Sequence, residues 1–201
     1  MKSLTGHSLN RYATFMKEIK SHNKKNKEAI AKAIEVLFKP DNEIQDYIKK
    51  MLLERLLWAT TEHTDDGKYK KYIGQPFWSV GAIKKLLDNL ANGRKLEDGL
   101  IHEHSVPKKE IKSRIMNLED KSKDKILEIL DNLGHAVVVS KDEDEKINKK
   151  GYKSKMPLKL PTNPNIDEVF SRYKEAQIKI CHIENREIKS MTIEDIEKHC
   201  I

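Results

Sequence analysis

The run Ala136-Val137-Val138-Val139 abuts Ser140-Lys141-Asp142-Glu143, and this junction restricts the fold more than any other stretch of the chain. A short β-branched apolar run has the character of a buried strand. A serine followed three residues later by glutamate is a capping box, in which each of the two residues satisfies a backbone N–H of the other. A strand must therefore pass straight into a helix. Most of the remaining chain is patterned at helical period, so the sequence predicts an α+β fold that is predominantly α-helical.

The helical stretches follow from apolar spacing. Leu9, Tyr12, Phe15, Met16 and Ile19 form one stripe. Ile30, Ala33, Ile34 and Leu37 form another within 24–38, ended by Pro40. The strongest helix is predicted over 44–63. Its stripe of Ile44, Tyr47, Ile48, Met51, Leu52 and Leu56, extending to Trp58, reads as core. Ser79 is a good N-cap for a helix over 80–90 that stops at Asn92-Gly93, with Phe77 and Trp78 placed as a hydrophobic staple. Pro107 suits the first turn of a helix reaching Asn117, and Gly134 stops another over 122–133. Further helices are predicted from Ser140 to near Gly151, over 167–176 and over 192–199. Strands are predicted over 100–104, 136–139 and 178–183, and Pro157, Pro161 and Pro164 make 156–165 an extended connector. The chain reads as a single domain, 1–201, with a helical subdomain 1–93 and an α+β subdomain 94–201 holding a small sheet of two or three short strands.

Apolar residues make up 37% of the 201 residues and charged residues 35%, and the periodicity of the apolar positions argues against disorder. Lys plus Arg number 39 against 32 acidic residues, a formal charge of +7. That balance favours a polyanionic partner, DNA ahead of RNA, although much of it also fits a solvated lysine surface. Lys68-Tyr69-Lys70-Lys71-Tyr72 interleaves basic and aromatic residues. It reads first as an exposed loop and second as a segment able to meet phosphates and bases. The apolar stretch 51–59 is interrupted by Glu54 and Arg55, so no membrane span is expected. Cys181 and Cys200 form no CxxC pair and no disulfide framework is expected; with no apolar signal core at the N-terminus, a cytoplasmic location is expected. The helical first half offers apolar surface for a homodimer.

The chemistry-bearing cluster is His102-Glu103-His104-Ser105-Val106-Pro107. Imidazole is the side chain best suited to moving protons or holding a metal near neutral pH. In a strand, His102 and His104 share one face and Glu103 takes the other. His135, at the start of the second strand, is the candidate third imidazole. With an adjacent carboxylate, three imidazoles could hold a divalent metal such as Mg, Mn or Zn. Lys108, Lys109, Lys112 and Arg114 follow on the next helix, and Arg172 lies further on; these are the candidate phosphate-binding residues. Asp144-Glu145-Lys146 has the residue types of a nuclease core but falls at a helix start, where acids complement the dipole.

Glu103-His104-Ser105-Val106-Pro107 resembles the first motif of the HNH (His-Asn-His) endonucleases. The resemblance implies a metal-dependent phosphodiesterase acting on DNA, with His104 as general base, Glu103 assisting the metal, and a role in genome defence or phage biology. The chain departs from that pattern. The later Asn and His or Asn are not in their expected strand–helix places, since Asn117, Asn132 and His135 lie near helix ends, and paired zinc-knuckle cysteines are absent. Two other readings compete: a non-catalytic nucleic-acid-binding or protein-interaction module, and a metal-independent RNase toxin.

Overall fold

The computed structural model describes residues 23–65, 67–72 and 74–183. The helix predicted around Leu9–Ile19 and the one over 192–199 lie outside them. Among the described residues the chain runs α1 (Lys24–Leu37), α2 (Asp46–Glu62), β1 (Phe77–Ser79), α3 (Val80–Ala91), β2 (Leu100–His104), α4 (Lys108–Met116), α5 (Lys123–Leu133), β3 (Ala136–Ser140), α6 (Lys141–Lys149), α7 (Ile166–Val169), α8 (Ser171–Glu175) and β4 (Ile180–His182). The fold is α+β. The helix predicted over 167–176 is two short helices meeting at Phe170, where the Ser171 hydroxyl donates to the Glu168 carbonyl (2.7 Å) in competition with the backbone ladder.

The four strands form one mixed sheet in the order β2-β3-β1-β4. β2 and β3 are antiparallel with His102 opposite Val138 and His104 opposite Ala136; β1 runs parallel to β3 and antiparallel to β4. The sheet has one strand more than the sequence predicts: Phe77 and Trp78, expected as a hydrophobic staple, belong to β1. Three residues buried on both faces carry no alternation to read. Alternate residues feed two cores. Phe77, Val137, Val139 and Ile180 face a large cluster built with α1, α2, α4, α5 and α6. Trp78, Val138, Cys181 and Leu100 face a smaller one closed by Ala82, Ile83 and Leu86 of α3. Cys181 is disulfide-bonded, contrary to the expectation of no disulfide framework.

Because β1 and β3 are parallel and each leads directly into a helix, the N-termini of α3 and α6 lie side by side. Glu143 joins them. Its carboxylate accepts from the Ser79 hydroxyl, from the Gly81 N–H (3.2 Å), and from the Ser140 N–H and hydroxyl (both 3.0 Å). The capping box at Ser140 is formed, so the residue that closes it also ties two layers together. A Cβ at position 81 would lie 2.5 Å from that carboxylate, which is why glycine fits there.

α2 departs from its predicted orientation. Leu53 and Leu57 are buried, while Tyr47 and Met51 of the predicted core stripe are 67% and 56% exposed and Leu52 also faces outward. The helix is apolar on more than one side, so periodicity did not say which side turns inward. No helix among the described residues is long and apolar enough to cross a membrane.

Candidate functional site

β2 ends the four-strand order, and His102 and His104 lie on it as predicted, alternating with Ile101 and Glu103. Their rings are 5.7 Å apart between centroids. Trp58 of α2 packs over the pair, 4.8 Å from His104 and 6.0 Å from His102. Each histidine is only 4% exposed, and neither ring nitrogen of His104 has a hydrogen-bond partner. Burial pushes His102 down to about 4, aided by the charge of nearby Lys71 and slightly opposed by the backbone at Thr61. His104 is lowered well below the ordinary imidazole range by burial, with His102, Lys108 and Arg172 acting in the same direction. Both rings are therefore neutral at physiological pH.

His104 lies in the wall of a cleft of about 590 Å³. The cleft also takes in Trp58, Glu103, the α4 residues Lys108, Lys109 and Lys112, Asp144 and Asn148 of α6, and the loop residues Lys153 and Ser154. The Lys108 ammonium sits 3.6 Å from the Trp58 ring centroid. Lys108 and Lys112 each stand 3.8 Å from Glu54. Burial lowers the proton affinity of Lys108. α4 opens onto the cleft through Pro107 and Lys108, and no side chain caps its N-terminus. The Glu110 N–H is taken by the Pro107 carbonyl (2.8 Å), which leaves the Lys108 and Lys109 N–H groups to face an anion at the positive end of the helix dipole.

Glu103 faces away from the histidines and meets Arg172 (2.9 Å). Burial raises its pKa, opposed by the Arg172 guanidinium. Arg172 is fully buried and also donates to the carbonyls of His104 (2.5 Å), Tyr152 (2.6 Å) and Lys153 (3.4 Å). The phosphate contact expected of Arg172 is replaced by a scaffolding one: it holds the end of β2 against the 152–153 loop. Arg114 is likewise turned from the cleft. It pairs with Glu110 (3.0 Å) and donates to the carbonyls of Leu160 (2.8 Å), Pro161 (2.9 Å) and Thr162 (3.2 Å), pinning the proline-rich connector.

His135 does not join the other two imidazoles. The register pairs Ala136 with His104, so the residue before Ala136 projects to the opposite face, where the His135 ring meets Phe77 at 6.0 Å. Among the described residues no three His, Cys, Asp or Glu side chains converge as a ligand set. Trp58, Asp144, Asn148, Lys153 and Ser154 escaped the sequence reading as site residues. By sequence Trp58 belongs to a core stripe and Asp144 to a helix start, and only packing brings them to the cleft beside β2. In comparisons with known proteins, no family model, curated sequence or solved structure matches this chain.

Proposed function

We propose that this protein binds the phosphate backbone of nucleic acid in the His104 cleft and hydrolyses a phosphodiester there, as the HNH-like motif implies. The observation that carries the reading is the unpartnered, neutral His104 imidazole in the wall of a cleft that also holds four lysines and an uncapped helix N-terminus. Lys108, Lys109, Lys112 and Lys153 supply the counter-charge, and the α4 N–H groups supply donors to non-bridging oxygens. A phosphate drawn in beside His104 adds negative charge and raises the proton affinity of the ring. A ring nitrogen then takes a proton from water as the water oxygen bonds phosphorus. The bond from phosphorus to one sugar oxygen breaks, and that oxygen receives a proton from the Lys108 ammonium or from solvent.

The test is cleavage of single-stranded DNA, of plasmid DNA and of RNA by wild type and His104→Ala, with Mg²⁺, Mn²⁺, Zn²⁺ or EDTA present. The expected result is cleavage lost by at least 100-fold in the variant, the scale of a general base. Cleavage of RNA alone that persists in EDTA would mark the metal-independent ribonuclease reading. A second reading, a non-catalytic nucleic-acid-binding module, draws support from the packing of both histidines against Trp58, which suits a structural pair. Salt-dependent binding retained by His104→Ala, without cleavage by wild type, would favour it.

A further inference from the structure

We infer that the nucleic acid taken by this cleft is single-stranded, and that the strand reaches it along the basic–aromatic segment Lys68–Tyr72. The inference rests on the reading of the cleft as a phosphate site and adds the substrate class. Three observations carry it.

The first is depth. His104 is 4% exposed behind Trp58 and Lys108, so a phosphate must enter the cleft to meet it. A duplex is a rod whose major groove alone is about 12 Å wide. It can rest on the rim lysines, but its stacked and paired backbone resists bending one phosphate inward to a ring that is 4% exposed. A single strand can bend one nucleotide inward.

The second is the aromatic ring at the mouth. Trp58 packs on the histidine pair and also carries the Lys108 ammonium 3.6 Å from its ring centroid. An incoming phosphate draws Lys108 off the ring and leaves a stacking face for a base. The third is continuity. Trp58 stands one turn before the end of α2, and the following segment packs on that end: Tyr69, between Lys68 and Lys70, is 61% exposed with its ring 5.6 Å from that of His63. The segment is held to the end of α2, where the Lys70 N–H donates to the Glu62 carbonyl (2.7 Å) and Gln75 bonds the carbonyls of Lys70 (3.0 Å) and Thr61 (2.5 Å). Lysines alternating with aromatic rings make a sequence-tolerant single-strand path, with phosphates on ammonium groups and bases on ring faces.

The experiment is fluorescence anisotropy on the full chain at 100 mM salt, with labelled 12-nucleotide single-stranded DNA, the same sequence as RNA, and the blunt DNA duplex. The expected result is that at least one single strand binds about tenfold or more tightly than the duplex; the DNA and RNA arms decide which sugar is preferred. Tyr69→Ala, at an exposed position, is expected to weaken the single strand by about tenfold, the loss of one stacked base, and to leave duplex binding unchanged. Equal affinity for duplex and single strand overturns this inference while the phosphate-site reading stands. An unchanged single-strand affinity in Tyr69→Ala overturns the path. No binding of any of the three overturns the phosphate-site reading, and this inference with it.

Discussion

Arg172→Met removes the cation that organises the end of β2. The guanidinium is fully buried and serves four acceptors: the Glu103 carboxylate and the carbonyls of His104, Tyr152 and Lys153. Methionine fills most of the volume and leaves those acceptors without the donor. Breaking a buried pair from one side costs about 3–5 kcal/mol. Glu103 keeps 23% side-chain exposure, so water recovers part of that. The lower end, about 3 kcal/mol, is the expected loss, equivalent to a fall in Tm of roughly 6–12 °C for a chain of this size. Arg172→Lys is expected to lose nearly as much, because one ammonium cannot span both the Glu103 side and the 152–153 loop. Adding Glu103→Gln to Arg172→Met removes the stranded charge and is expected to restore at least about 1 kcal/mol. Urea unfolding followed by circular dichroism measures all four proteins. A loss below 1 kcal/mol in Arg172→Met, or no recovery in the double variant, would refute the argument that this ion pair locks the site.

The remaining predictions concern the histidine pair and α2. Both histidines are depressed in the folded state, so below pH 6.5 the unfolded chain binds protons that the folded chain does not. Stability is therefore complete above pH 6.5 and falls as pH drops towards 4; His102 alone accounts for a loss of about 3 kcal/mol by the end of that window. Urea midpoints between pH 7.5 and 4 test this, and a profile unchanged by His102→Leu with His104→Leu would refute it. On α2, Leu57→Ala is expected to cost about 2–5 kcal/mol and Met51→Ala less than about 0.5 kcal/mol, because only Leu57 is buried. Equal losses would mean that the sequence-predicted stripe, and not the observed face, is the core.

Local signals account for what was readable in advance. Ser79 and Ser140 cap helices because their hydroxyls accept from N–H groups three residues on, a relation contained within four residues. The β2 strand came out at Leu100–His104, and His102 and His104 share a face, because a period of two is a property of the strand itself. Lys108, Lys109 and Lys112 reach the cleft because one short helix carries them past the end of β2. Register, depth and the choice of face were not readable. A one-residue register decides that Ala136, not His135, faces His104. Arg114 and Arg172 have the same donors whether they meet phosphate or backbone carbonyls, and only burial separates the two uses. The chain by itself determined where the capped helices α3 and α6 and the strand β2 begin, and that His102 and His104 share a face, because caps and periods act over a few neighbours. Tertiary structure alone decided that Trp58, Lys153 and Asp144 close around His104 while His135 is turned away, because those relations depend on packing between residues far apart in sequence.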